Sequence, residues 1–453
     1  MNSQKLVLLA ILLSILSACS SWTQTSLLSH TNIAKSVDSL PNSKASFLVK
    51  PDRGDPELLM ILAFSGGGSR AAYWSASVML QLEQVFKEEQ LNNEPLNLLK
   101  QVDAISAVSG GGLPAAYYAI STEPGVSSTH DRAWSDTTVR NVMTQNYISR
   151  WIGNWFWPSN IAKYWFTAYD RTDIMAQTLA DNLYDVHVSG TDLMKGRDLS
   201  IGEINPERPY LILNATNATS ENNKFGKSFT FTQQDFDALD SDINDYSIAR
   251  AVMASASFPG AFNSMTLQNY SRDTENSRYV HVFDGGNVDN LGLLSVERIL
   301  DVVEREQIRY RKLVVILVDA FTGIAGISET QEDPRSGLDF FVDSNIVDAT
   351  DSLLANNRDN LINQFEKRFQ LALNDTSKSL FYHIQFSDVN NPTLKQQLYS
   401  IKTSFNIEPE GITAIDAAVD QLIIRDNPCL QAIKQLLVNG SHSENNNICV
   451  YRP

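Results

Sequence analysis

The sequence predicts an α/β domain in which a mainly parallel sheet lies between layers of helices, and three observations carry that reading. Leu58–Phe64 is an uninterrupted apolar run, the mark of a strand buried on both faces. It leads through the turn Gly66-Gly67-Gly68 into a helical stretch over residues 71–89. A second unit repeats the layout, with a strand over residues 102–108, the turn Ser109-Gly110-Gly111-Gly112 and a small-residue helix over 114–120. Strand, glycine turn and helix in alternation define the layered class, and further strands are expected at 210–215, 279–283 and 313–318.

The N-terminus reads differently. Met-Asn-Ser-Gln-Lys is followed by an apolar stretch over residues 6–16 and then by Ser17, Ala18 and Cys19. A basic start, a short apolar run and small residues before a cut site form a secretory signal, and the run is too short to cross a bilayer. Leu16-Ser17-Ala18-Cys19 resembles the lipobox of bacterial lipoproteins. The resemblance implies cleavage before Cys19, acylation of its thiol and, with Ser20 next in line, an anchor in the outer membrane facing the periplasm or the cell surface. Several acyl chains hold a protein to a membrane far better than one.

Residues 19–52 are rich in Ser, Thr and Asn, contain Pro41 and Pro51, and are expected to form a flexible tether behind the lipidated Cys19. The expected organisation is a signal over 1–18, this tether, an α/β core over 53–330 and a mostly helical part over 331–453 packed on the core. Within the last part, residues 380–386 read as a strand and 414–424 as a closing helix. Four of the seven tryptophans lie between Trp151 and Trp165. Aromatic rings with a polar edge suit a membrane interface or an apolar ligand site, and they equally suit the core of an insertion.

Composition narrows the function. A formal net charge of −16 without any basic run repels polyanions, so nucleic acid is excluded as an expected partner. No H-E-x-x-H, C-x-x-C or clustered His suggests a metal site, and no cofactor is expected. Apart from Cys19 the chain holds Cys429 and Cys449, and export to an oxidising compartment would allow them to pair across the Asn/Ser-rich tail.

The chemistry centres on Ser109. A nucleophile elbow sets Ser on a strained strand-to-helix turn and needs small residues two before and two after it; here those are Ala107 and Gly111. The turn at Gly66, Gly67 and Gly68 can present backbone N–H groups to an anion at a helix start, as an oxyanion hole requires, and one such donor is worth roughly 3–4 kcal/mol in a transition state. Gly66-x-Gly68-x-x-Ala71 also fits a dinucleotide fingerprint, but the acidic residue expected at the end of the next strand is missing, since that strand ends at Ser109. None of the six histidines lies in a loop suited to a catalytic triad, although His281 is near one. Asp284 does leave a strand end, in Asp284-Gly285-Gly286, where site residues of parallel sheets gather.

Gly66-Gly67-Gly68-Ser69-Arg70, Ser109 in a Ser-Gly-Gly turn, the block over residues 249–262 and Asp284-Gly285-Gly286, in that order, resemble the patatin-like phospholipases. The resemblance implies a three-layer patatin-like fold with a helical C-terminal extension and a Ser–Asp dyad without histidine. Ser109 would attack an ester carbonyl, Asp284 would accept its proton, and the amides of Gly66, Gly67 and Gly68 would hold the oxyanion, with Arg70 shaping or charging that loop or serving as a structural ion-pair partner. The substrate class implied is a membrane lipid or another acyl ester. Acyl transfer on the same dyad and non-catalytic lipid binding are the alternatives.

Overall fold

The structure, a computed structural model, describes residues 32–36, 47, 54–91, 93–124, 132–186, 197–219, 226–271, 279–322, 344–444 and 446–453, and side chains within 344–356 are left aside. The expected signal segment, Cys19 and most of the expected tether lie outside the described residues.

Among the described residues, nine strands form the central sheet: β1 Leu58–Phe64, β2 Ala104–Val108, β3 Tyr210–Asn217, β4 Lys227–Thr230, β5 Met265–Gln268, β6 Tyr279–Asp284, β7 Lys312–Asp319, β8 Ser379–Gln385 and β9 Ile448–Cys449. From β3 the sheet runs through β2, β1, β7 and β8 to β9 with every pair parallel. β4, β5 and β6 add an antiparallel margin. The class is therefore the mixed α/β, mainly parallel arrangement that the sequence predicts. β8 and β9 belong to this same sheet, so the chain beyond residue 330 supplies strands as well as helices.

Period-two alternation explains the apolar runs. Leu58, Met60, Leu62 and Phe64 enter one core with Val314, Ile316 and Val318, while Leu59, Ile61 and Ala63 enter the opposite core with Leu313, Val315 and Leu317. Helices cover both faces. The helices named below are α1 Gly68–Gln84, α2 Gly112–Ile120, α3 Tyr147–Trp155, α4 Pro158–Phe166, α5 Ile248–Ser255, α6 Leu293–Arg305, α7 Ser344–Gln370, α8 Pro409–Leu422 and α9 Pro428–Asn439, and further helices such as Asp136–Met143 and Arg171–Leu179 also pack into the core. The first core takes in Trp74 of α1, Ile415 of α8 and Ile433 of α9, and the second takes in Val296 and Ile299 of α6 with Phe365 and Phe369 of α7. Each such side chain contributes about 1.5–3 kcal/mol when removed from water.

Both ends of α1 differ from the sequence reading. α1 begins at Gly68, three residues before the expected start, because Gly67 adopts φ 137° and the Ser69 amide is held by the carbonyl of Ser404 (2.6 Å). It ends at Gln84, and Glu89 instead pairs with Arg425 and Lys434. Cys429 and Cys449 form a disulfide with an S–S distance of 2.06 Å, fixing the start of α9 to the edge strand β9.

Candidate active site

The sheet builds the site by bringing two strand ends together. β2 pairs with the first part of β3, ending with Val108 beside Asn214, and β6 pairs with the last part, ending with Asp284 beside Ala215. β4 occupies the other edge of residues 214–217. β2 and β6 therefore share one edge of β3 and meet end to end, running in opposite directions. The residue after β2 is Ser109, and the last residue of β6 is Asp284.

Ser109 Oγ donates to Asp284 Oδ2 at 2.8 Å. Both residues are buried, at 8% and 4% exposure. Ser109 has φ +50°, a conformation that side chains rarely adopt and that costs of order 1–3 kcal/mol unless the surroundings hold it. Here they do. Its backbone amide donates to Ser255 Oγ (2.9 Å), and Ser255 Oγ–H donates in turn to the Asn214 carbonyl (2.5 Å). Asn214 Nδ2 then donates to Ser106 Oγ (3.0 Å) and to the Ala107 carbonyl (2.9 Å), while its Oδ1 accepts from Ser295. The network ties β2, β3, α5 and α6 together directly beneath the elbow.

Asp284 uses its second oxygen to accept from the Gly286 amide (2.8 Å). Burial pushes its carboxyl up to about 6, against the opposite pull of the hydrogen bonds from Gly286 and Ser109. The group is thus a stronger base than an ordinary Asp while remaining ionised at neutral pH. The described histidines are engaged elsewhere: His281 with Thr266 (3.0 Å), His383 with Asp319 (3.2 Å) and His442 with the Ser379 carbonyl (2.9 Å).

The glycine turns interlock. A side chain at Gly110 would strike the Gly68 carbonyl, and Gly68, at φ +58°, lies against the backbone of Ser404 so closely that a Cβ there would overlap the Ser404 carbonyl oxygen. Gly66, expected among the oxyanion donors, instead directs its amide to the Asn290 carbonyl (2.9 Å) because Asn290 follows the Asp284 turn and closes over it. The Ser69 amide is held by Ser404, so Gly67 and Gly68 lie between two anchored positions. Arg70 is buried at 7% exposure, packs beside Gly67 and donates from Nη1 to the Ile401 carbonyl (2.6 Å). Its observed contacts shape the loop by holding residues 401–404 across it.

A family model of patatin-like phospholipases matches residues 62–296, which is more than half of the chain and includes both strand ends and both glycine turns. The chain belongs to the patatin-like phospholipase family. Solved structures similar to this patatin-like chain include human GIVD cytosolic phospholipase A2 (12% identity, TM-score 0.36, covering 71% of this chain and 48% of that one). They also include VipD from Legionella pneumophila (13% identity, TM-score 0.32, 89% and 72% covered). A third is the heterodimeric ExoU–SpcU complex from the type III secretion system of Pseudomonas aeruginosa (13% identity, TM-score 0.23, 76% and 65% covered). The match spans about half the length of the human protein. No curated protein matches the chain at a significant level.

Sequence reasoning on this patatin-like core named Ser109, Asp284 and the glycine turn, but not Asn214, Ser255, Asn290 or Ser404. Ser255 lies within the 249–262 block that carries the family resemblance, and Asn214 interrupts the apolar run of residues 211–215. Those were the available signals. Ser404 has none, since its backbone rather than its side chain meets the turn.

Proposed function

We propose that the protein is a lipid acyl hydrolase that works through an acyl-enzyme on Ser109. The observation that carries this reading is the buried 2.8 Å hydrogen bond from Ser109 Oγ to Asp284 Oδ2, at the junction of two strand ends. Asp284 takes the hydroxyl proton as Ser109 Oγ attacks the ester carbonyl, then delivers it to the departing alcohol. Water next attacks the acyl-enzyme, giving its proton to Asp284, which returns it to Ser109 as the acid leaves. The amides of Gly67 and Gly68 carry the oxyanion, with Gly66 and Arg70 holding the turn that aims them. Family membership supports an acyl lipid as the substrate class.

The proposal extends to the N-terminus: cleavage after residue 18, acylation of Cys19 and a tether to residue 52 would hold the enzyme at a bacterial envelope membrane, where such lipids lie. Loss of acyl labelling in Cys19→Ala tests the anchor separately from the chemistry.

For the reaction itself, turnover of a generic acyl ester by wild type, abolished in both Ser109→Ala and Asp284→Asn, is the expected outcome. Equal background hydrolysis in all three proteins would remove the enzyme reading.

A further inference from the structure

The exposed apolar side chains of this protein are concentrated in one place. Of ten large hydrophobic residues exposed among the described residues, six lie on α3, α4 and the turn between them: Ile152, Phe156, Trp157, Ile161, Trp165 and Phe166. Phe156 and Trp157, in the turn, are 71% and 61% exposed. Single exposed apolar residues need no explanation, whereas a patch of this kind marks an interaction surface.

The inner side of the same hairpin is fully engaged. Trp151 Nε1 donates to the Arg171 carbonyl (3.0 Å), and its ring packs on Phe262 at 5.4 Å. Trp155 packs on Tyr164 at 5.7 Å, and Asn154 Nδ2 donates to Thr178 Oγ1 at 2.9 Å. Core packing thus accounts for Trp151, and Trp155 packs within the hairpin on Trp151 and Tyr164, which leaves the outer row of rings uncovered.

Charge selects the occupant. The chain carries −16 overall, yet no Asp or Glu occurs over residues 137–169, and the charges within the two helices are Arg150 and Lys163. Indole and phenyl rings on helices whose own charges are only basic suit the boundary between lipid headgroups and acyl chains. A second copy meeting this face with the same face would set the basic charges against each other. The inner side of the hairpin also connects to the site, since Trp151 packs on Phe262, Phe262 packs on Phe405 at 5.6 Å, and Phe405 follows Ser404, which lies against Gly68.

We infer that the outer face of the α3–α4 hairpin inserts into a lipid bilayer and seats the active site over its substrate. The inference rests on the lipid hydrolase reading for its purpose, but not for its test.

The full chain carrying Cys19→Ala, which removes the proposed lipid anchor, and Ser109→Ala is mixed with vesicles of phosphatidylcholine and phosphatidylglycerol containing acyl-brominated phosphatidylcholine. Tryptophan emission is expected to be quenched. Combining Phe156→Ser, Trp157→Ser and Trp165→Ser in that background is expected to lower the vesicle partition coefficient about tenfold or more. In the otherwise wild-type enzyme the same three substitutions are expected to slow hydrolysis of vesicle lipid by a similar factor, while turnover of a soluble short-chain ester stays unchanged and reports an intact fold. Equal partition of the parent and the triple variant would overturn the inference, as would a change of oligomeric state with no effect on vesicles. Quenching without ester turnover by the wild type would instead remove the hydrolase reading and leave the surface standing.

Discussion

Ser255 holds the backbone of Ser109: its hydroxyl oxygen accepts the Ser109 amide at 2.9 Å, and the elbow keeps φ +50°. The contact crosses from the end of α5 to the end of β2, and it satisfies a buried N–H that would otherwise have no partner in that conformation.

Removing it exposes what it does. Ser255→Ala is expected to destabilise the fold by about 1–3 kcal/mol, the cost of a buried donor left unpaired. It is also expected to lower kcat on a soluble ester by roughly 10–100-fold with little change in KM, because a shift of about 1 Å in a reacting group has that effect. The midpoint of the pH–rate profile should not move, since Asp284 is untouched. Urea unfolding and steady-state kinetics measure both effects, and an unchanged kcat would show that Ser255 does not position the nucleophile.

Asp284 links stability to pH in the direction opposite to an ion-paired carboxylate. Below its ordinary value of 3.8 the group is protonated in both the folded and unfolded chain and has no effect on stability. Between 3.8 and about 6 the unfolded chain ionises first, so stability falls as pH rises; above about 6 the full penalty, of order 3 kcal/mol, is in place. Activity should run the other way and rise through a midpoint near pH 6 as the base ionises. Asp284→Asn is accordingly expected to be inactive, more stable than wild type at pH 8 and equal to it near pH 3. Thermal melts across that range check the prediction, which would fail if the variant were less stable than wild type at pH 8.

Gly110→Ala introduces one methyl group between two glycine turns. Its Cβ would meet the backbone carbonyl of Gly68, which has no side chain to rotate away. The two turns must separate, and the expected result is a loss of at least about a hundredfold in kcat, comparable to removing an oxyanion donor. Circular dichroism and kinetics on the same sample separate misplacement from unfolding.

The bridge between Cys429 and Cys449 closes a loop with a sequence separation of 20. A loop of that length contributes about 3 kcal/mol by restricting the unfolded chain. Reductant should lower the melting temperature of the wild type and leave Cys429→Ser/Cys449→Ser unaffected. Identical sensitivity of the two proteins would show that the bridge does not stabilise the fold.

Much of this architecture was legible in local pattern. The apolar run at Leu58–Phe64 is β1 itself, because a strand buried on both faces has no polar position to interrupt it. Ser109, Gly68 and Asp284 could be read for a related reason: each lies where a strand ends and the next element begins, and such junctions restrict residue choice. Asn214 and Ser255 could not be read in the same way. Their roles depend on β2 and β6 sharing one edge of β3, a long-range pairing that leaves no periodic trace. The tryptophan segment admitted two readings because it contains both kinds of ring, with Trp151 packed inward and Trp157 facing out.

The end-to-end meeting of β2 and β6 also sets an order of events during synthesis. Ser109 and Asp284 are separated by 175 positions, with β3 between them in sequence. A growing chain that has reached residue 278 holds Ser109 but not Asp284. Under the proposed mechanism, reactivity would be withheld until the last partner of the junction has been made, so incomplete chains and fragments ending before β6 would lack the pair needed to attack the lipids of the cell that produces them.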